Sequence, residues 1–458
     1  MKNQSMNVQL HEGQEIPVTI KRIGINGEGI GYFKRKAVFI PGTLPGEEVV
    51  ARVEKDHPNY VEARVRRIRK QSKDRIDPPC PVYAKCGGCQ LQHLRYERQL
   101  EYKREMILQA LDRYMKKTID SRIVEPTIGM DHPWEYRNKS QLQAGKQKGK
   151  VMAGLYREGT HQLIDVTDCK VQHPKTNEIT RKVLRIIEDL NIPVYDERKR
   201  KGVIRRIVTR IGFQTGDIQL VLVTAGKHFP KKELFLKEMK RRIPEVTSVL
   251  QNINPKKTSL IFGDETHLLM GNEYIEEQLG GIRYDLSARA FFQLNPEQTY
   301  KLYNLVKSFS DLNGDETVVD AYCGVGTIGL WLAEDVQELR GIEMIEDAVR
   351  DARRNAKKLG VQNAVYVSGK AEDWLGTWFK EGFRPDVVIV DPPRAGLDDR
   401  LVETLKRIQP KKLIYVSCNP STLAKNLDAL SSKFEIKRIQ PVDMFPHTSH
   451  VESITLLE

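Results

Sequence analysis

Cys418 closes the run Ile414-Tyr-Val-Ser-Cys418 and opens a loop at Asn419-Pro420. A thiol placed where a β-rich segment gives way to a loop is available as a nucleophile; a cysteine inside an element more often only packs. Asp391-Pro-Pro-Arg394 follows another apolar run, and Gly324-x-Gly326-x-x-Gly329 follows a third. Glycines at that spacing let the backbone approach a nucleotide closely. The stretch Asp443-Met-Phe-Pro-His-Thr-Ser-His-Val-Glu452 ends in a carboxylate. Together these residues point to covalent catalysis beside a bound cofactor.

A pyrimidine substrate would need this set. Carbon 5 of uracil is too weak a nucleophile to take a methyl group unaided. A thiolate adding at carbon 6 makes an enolate, and carbon 5 can then attack. The proton on carbon 5 must afterwards leave so that the thiol is eliminated, which requires a base. Cys418 suits the nucleophile and Glu452 the base. His447 and His450 read as structural or RNA-facing. Arg394 balances charge near the thiolate or holds a phosphate; the sequence does not choose. Cys323, inside the glycine turn, reads as a packing residue.

Three further features bear on the cofactor. Gly324 and Gly326 would cradle it, and Glu343, at the end of the next strand, would accept hydrogen bonds from the ribose hydroxyls. Asp320 and Tyr322 lead into the turn, which favours S-adenosylmethionine over a dinucleotide. So does Asp391-Pro-Pro-Arg394, which is not expected of dehydrogenases; its prolines stiffen a loop beside the reacting centre. Asp391 would touch cofactor or substrate base.

The elements behind these residues read as an α/β chain. Strands at Thr317–Ala321, Glu338–Ile342, Ala364–Ser368, Val387–Asp391, Lys412–Ser417 and Ile436–Pro441 alternate with helices such as 345–359 and 401–407. That predicts a doubly wound, Rossmann-like domain over 276–458, with the chemistry at the carboxyl ends of its strands. Residues 68–275 read as an α+β domain: a helix over 96–117, paired strands at 203–211 and 218–224, and helices over 181–190 and 231–242. Residues 1–67 alternate with period two around glycine-rich turns, 24–31 among them. They predict an OB-like five-stranded barrel resembling the TRAM domain of RNA-modifying enzymes.

The 458 residues carry a net charge of +13, which favours a polyanionic partner. Two runs concentrate it: Arg64–Arg75 holds seven basic residues against one acid, and Arg198–Arg210 holds seven against none. Phosphate contacts are expected near Arg66 and Arg205, and stacking of a base on Phe291. No apolar run is long enough for a membrane span, and Met1–Val8 has no signal core, so a cytoplasmic protein is expected. Cys80-x5-Cys86-Gly-Gly-Cys89 and Cys169 supply four thiols, the number that a zinc ion or a [4Fe–4S] cluster takes; spacing leaves the two nearly even.

The set Phe291-Phe-Gln-Leu-Asn295, Asp320-x-x-Cys-Gly-x-Gly326, Asp391-Pro-Pro-Arg394, Ser417-Cys-Asn-Pro420 and His450-Val-Glu452 resembles the RNA uracil-5-methyltransferases over nearly the whole chain. The resemblance implies Cys418 as nucleophile and Glu452 as proton acceptor, with Gln293, Tyr322, Glu343 and Asp391 lining the S-adenosylmethionine site. It implies a structural [4Fe–4S] cluster on the four cysteines. A cysteine cluster with a TRAM-like domain implies the ribosomal RNA enzymes rather than the shorter transfer RNA enzyme. The glycine-turn variant looks closest to the enzyme that methylates two uridines of 23S ribosomal RNA. The partner expected is then large-subunit ribosomal RNA before assembly is complete, met by a monomer with no membrane. Three alternatives stand beside this: a transfer RNA uracil-5-methyltransferase, an iron–sulfur dinucleotide oxidoreductase, and a catalytically silent RNA-binding factor, against which the pairing of Cys418 with Glu452 argues.

Overall fold

A computed structural model of the chain describes residues 9–157, 159–258 and 260–458. Residues 1–8, on which the expectation about export rested, lie outside the described residues. Near the N-terminus β1 (Glu15–Ile23), β2 (Gly29–Phe33), β3 (Lys36–Ile40), β4 (Glu48–Asp56) and β5 (Tyr60–Lys70) close a barrel in the order β1-β2-β3-β5-β4. Period-two alternation drives it: Ile16, Val18 and Ile20 of β1 point inward between exposed neighbours. The glycine-rich stretch expected as a turn over 24–31 enters β2 at Gly29.

A cysteine loop follows, with the short helix α1 (Tyr83–Cys86), and then the long helix α2 (Tyr96–Tyr114). Next comes a seven-stranded sheet. Its strands are β6 (Lys139–Gln147), β7 (Lys150–Tyr156), β8 (Leu163–Asp165), β9 (Ile204–Ile211), β10 (Ile218–Thr224), β11 (Ser248–Ile253) and β12 (Glu265–Gly271), in the order β12-β11-β10-β9-β6-β7-β8. Helices α3 (Pro174–Asp189) and α4 (Lys232–Arg242) bury Ile179, Val183, Ile187, Phe235 and Met239 in one core with strand residues such as Leu220 and Val249. The hairpin β13 (Ile275–Leu279) and β14 (Ile282–Leu286) leads out of this unit.

The remaining elements are α5 (Pro296–Ser310), β15 (Thr317–Ala321), α6 (Thr327–Leu332), β16 (Glu338–Glu343), α7 (Glu346–Lys358), β17 (Ala364–Ser368), α8 (Ala371–Lys380), β18 (Val387–Val390), α9 (Asp399–Ile408), β19 (Lys412–Ser417), α10 (Pro420–Leu430), β20 (Ile436–Val442) and β21 (Glu452–Leu457). Their sheet runs β17-β16-β15-β18-β19-β21-β20, parallel except for β21, which is antiparallel to both neighbours. β18 is wholly buried, as a strand covered on both faces must be. The strand order reverses between β15 and β18, the switch point at which such sheets bind ligands.

The helix α2 packs in an unexpected place. Sequence grouped it with the central residues, but Tyr102, Met106, Ile107 and Leu111 join one core cluster with Val319, Val390 and Tyr415 of the C-terminal sheet and with Leu423 and Leu427 of α10. The chain after it adds bridges from Val124 to Ile439 and from Ile128 to Val442, extending that sheet beyond β20. The apolar stripe of α2 explains this: it needs an apolar surface, and α10 offers one. No helix among the described residues is long and apolar enough to cross a membrane.

Candidate active site

The site is assembled by the sheet ladder. Ala321 pairs with Val390, so Tyr322 and Asp391 each leave their strand one residue past that pair. Ser417 pairs with Ser453 across β19 and β21. Cys418 and Glu452 are therefore the next rung of an antiparallel pair, where side chains lie close. Local chemistry ends the strand at that point: Asn419 caps α10 by accepting from the Ser421 amide at 3.0 Å, with Pro420 in the first helical turn. Asn419 Nδ2 donates to the Arg394 carbonyl at 3.0 Å, tying the loop that bears Cys418 to the Asp391–Arg394 loop.

A single cavity of about 670 Å³ is bordered by Gln293, Tyr322, Gly324, Glu343 and Asp391, and by Cys418 and Glu452 as well. The residues expected to hold the cofactor and the expected nucleophile and base thus share one chamber. Gly326 does not border it. It starts α6 at φ +82°, where a Cβ would press on Tyr366 and Ala352, so it serves helix packing. Gly324, at φ +56°, faces open space. The Gly324 amide donates to Glu343 Oε2 at 3.2 Å and the Ile345 amide to Oε1 at 2.8 Å. This holds the carboxylate in place while leaving lone pairs free for hydroxyls. Tyr322 is held at φ +69°, a conformation that costs a non-glycine residue about 1 kcal/mol or more.

Charge in the chamber is held back by burial. Burial pushes the Asp391 carboxyl up to about 7. Burial, with Asp391 alongside, pushes Glu452 up to about 8, against the pull of Arg394 and Lys103. Cys418 goes up to about 12 through burial and the neighbouring Glu452 and Asp391, with Arg394 opposing. Arg394 thus acts on both Cys418 and Glu452, which favours the charge-balancing reading of this residue. Its guanidinium lies 3.2 and 3.1 Å from the two ring nitrogens of His450. His447 is buried, stacked on Trp134 at 3.7 Å, and burial holds its ring neutral with a value near 3. Cys323 is buried in the core beside Val325 and Ile328.

Asp320, which the sequence places at the entry to the glycine turn, is raised to about 7 by burial; it accepts from the Gly329 amide at 2.8 Å, and its other oxygen is buried without a partner. Other residues of the site were not singled out from sequence. Gly369–Glu372 border the cavity just past β17; the rule that ligands meet strand ends would have found them. Phe445 also borders it, and no sequence signal marks it.

The basic runs divide between exposed and buried residues. Arg64, Arg66, Arg67 and Arg69 are exposed on β5, and Arg198–Lys201 are exposed. Arg205, expected near a phosphate, is instead buried and donates to the carbonyls of Asn254 and Lys256 at 2.6 and 2.8 Å. Arg210 is likewise buried and donates to Ala290 O at 2.6 Å. Buried guanidinium groups satisfy orphan carbonyls, and a count of charges along a sequence does not reveal that. Phe291, expected to stack on a base, is 63% exposed at the cavity rim.

The four loop cysteines are free thiols brought to one region. Cys89 and Cys169 pack on one apolar cluster with Met130, Tyr136 and Val171. Burial raises Cys86 and Cys89, and the charges of Cys169, Cys86 and Cys80 add to it. Gly87, at φ +72°, turns the chain between Cys86 and Cys89. Among the described residues no group of three or more His, Cys, Asp or Glu side chains is arranged to hold a metal ion. The donor chemistry fits an iron–sulfur cluster; the geometry of a closed ligand set is not present.

Comparison with known proteins gives two family matches. The family described as tRNA (uracil-5-)-methyltransferase matches residues 95–458, and the TRAM domain matches residues 9–65. An uncharacterised RNA methyltransferase of Halalkalibacterium halodurans is 57% identical over 458 residues, covering 100% of this chain and 99% of the relative. One of Bacillus anthracis is 56% identical over 449 residues, covering 98% of each. Among solved structures, the tRNA (uracil-54, C5)-methyltransferase of Pyrococcus abyssi in complex with S-adenosyl-L-homocysteine is similar with a TM-score of 0.76 and 28% identity. The match covers 97% of this chain and 100% of that one.

Proposed function

The chain belongs to the RNA uracil-5-methyltransferase family and carries a TRAM domain, and from that premise we propose that it methylates carbon 5 of uridine in 23S ribosomal RNA. It is an S-adenosylmethionine-dependent RNA methyltransferase. The observation that carries the mechanism is the shared chamber: Cys418 and Glu452 stand on the wall that Asp391 and Glu343 complete.

Bound S-adenosylmethionine supplies an electrophilic methyl group and a positive charge among carboxylates. Cys418 reacts as its thiolate, the form that Arg394 favours. Its sulfur bonds to carbon 6 of the uracil, and the electron pair of the 5,6 double bond moves into the enolate. Carbon 5 takes the methyl group, breaking the sulfur–methyl bond of the cofactor. Glu452 takes the proton from carbon 5; the 5,6 double bond re-forms and the thiolate leaves. Gln293, Tyr322, Gly324, Glu343 and Asp391, which line the chamber, would hold the cofactor. The base must be out of its stack for carbon 6 to be reached, and exposed Phe291 would stack on it or a neighbour.

The division of labour follows 1–67 for RNA binding, 68–275 for the cysteine-bearing support and 276–458 for methyl transfer. Exposed Arg66 and its neighbours on β5 would hold phosphates. We assign the reaction to a cytoplasmic monomer acting on RNA before large-subunit assembly is complete. Cys80, Cys86, Cys89 and Cys169 would hold a [4Fe–4S] cluster with a structural role, since no step above needs an electron. Anaerobic purification is expected to give about four irons and four sulfides per chain, and serine at Cys89 to lose them; iron at background level would remove the cluster.

A transfer RNA substrate is the second reading, favoured by the substrate named for the Pyrococcus abyssi structure. Mass spectrometry of RNA from cells lacking this chain separates the two. The ribosomal reading expects 5-methyluridine to vanish from defined 23S fragments and to persist in transfer RNA. The reverse pattern would overturn it.

A further inference from the structure

The segment leading into Glu452 is pinned from outside its own sheet. Lys103 of α2 forms an ion pair with Asp443 in which neither side chain meets solvent. Its ammonium also donates to the Phe445 carbonyl at 3.1 Å. One turn earlier on α2, Gln99 Oε1 accepts the amide of His447 at 2.9 Å. From the cysteine loop, the backbone amides of Gln90 and Leu91 both donate to the His447 carbonyl, at 3.0 and 2.9 Å. Gln298 of α5 donates to the Asp443 carbonyl at 3.0 Å.

Two buried charges are an expensive way to fix a loop. An apolar pair of the same volume often holds a structure as well or better, because it pays no desolvation. The ion pair therefore calls for a reason beyond stability. The groups facing Glu452 supply one. Asp391, on the loop after β18, opposes its ionisation; Arg394, on the same loop, and Lys103, from α2, favour it; Cys418 stands on the adjoining strand end. Lys103 is the cation among these that no solvent screens.

We infer that Lys103 is a positioning residue for Glu452: paired with Asp443, it fixes the segment that carries the carboxylate and sets a buried positive charge near it. The inference rests on the reading of Glu452 as the proton acceptor. It gives α2 and the cysteine loop a part in the last chemical step, with no contact to substrate. Loss of Lys103 would leave thiol addition and methyl transfer in place and slow the removal of the carbon-5 proton, so that a methylated chain–RNA adduct would build up.

Lys103→Met alone would leave Asp443 a buried charge with no counter-ion, met only by the Tyr96 hydroxyl of α2 that donates to it at 2.9 Å, so the informative variant is Lys103→Met with Asp443→Leu. Full-length, cofactor-supplied enzyme is followed from about pH 6 to about pH 9 by turnover and by covalent chain–RNA species on denaturing gels. The double variant should melt near the wild type. Its pH of half-maximal turnover should rise by about one unit, and adduct should accumulate near neutrality. A folded double variant with the wild-type pH profile and no adduct overturns the inference. Lys103→Gln with Asp443→Asn, which removes both charges and keeps hydrogen-bonding groups, takes its place with the same two outcomes if the first double variant does not fold. Glu452→Gln runs as the control. If that variant traps no adduct, the assignment of Glu452 fails first and the role of Lys103 falls with it, which keeps the two failures apart.

Discussion

Cys418→Ala should lose at least about 10⁴-fold in turnover while still binding S-adenosylmethionine. The size of the loss follows from the chemistry. Without sulfur on carbon 6 there is no enolate, and carbon 5 keeps the reactivity of an ordinary alkene carbon in a conjugated ring. Cofactor binding should survive because Tyr322, Gly324 and Glu343 belong to strand ends on the other side of the switch point. Isothermal titration with the cofactor and a methyl-transfer assay on the same preparation check both halves. No covalent chain–RNA species should form at any pH. Retained turnover would mean that the methyl group goes to an atom that needs no activation.

Glu452→Gln should instead form the covalent species and keep it. Addition and methyl transfer precede the step that needs the base, so the adduct carries its methyl group and is released slowly, with turnover down by about 10² to 10⁴. Denaturing gels with labelled cofactor would show the chain and RNA migrating together. The same substitution has a thermodynamic signature. Burial places Glu452 near 8 in the fold against 4.5 for an ordinary glutamate. A raised carboxyl stabilises the fold fully below the unfolded value and loses that contribution as pH rises through the folded one. Wild-type stability should therefore fall between about pH 4.5 and pH 8, with Asp391 and Asp320 adding to the fall up to about 7. Glutamine carries no such term, so the variant should be the more stable chain at pH 8.5, by a difference on the order of 3 kcal/mol that shrinks toward pH 5. Equal melting temperatures at both pH values would show that Glu452 is not buried as described.

Sequence and structure agree where the signal is local. Period-two alternation gave the barrel, and the regular strand–helix alternation gave the C-terminal sheet, since both patterns are imposed by the faces an element must bury. Cys418, Asp391 and Glu343 could be seen because each stands where a strand-like run stops, and Glu452 because it stands where the closing strand begins. Lys103 and Asp443 could not. They are 340 positions apart, and a lysine on a charged helix looks like any solvated lysine. Gln99 and Lys103 form a buried polar stripe on α2 that hydropathy reads as surface. Arg205 and Arg210 misled for the complementary reason: their partners are backbone carbonyls, which no residue type announces. The seating of α2 against α10 was hidden too, because an apolar stripe says that a helix is covered and not by what.

Carbon-5 methyl transfer through a covalent intermediate must release the hydrogen of uridine carbon 5, so tritium placed there reports on it. Unmodified 23S ribosomal RNA labelled with tritium at uridine carbon 5 is incubated with the enzyme and S-adenosylmethionine. Tritium should enter water only when cofactor is present, in step with methyl groups entering the RNA, and not at all with Cys418→Ala. Methyl incorporation without tritium release would place the methyl group on another atom and overturn the mechanism.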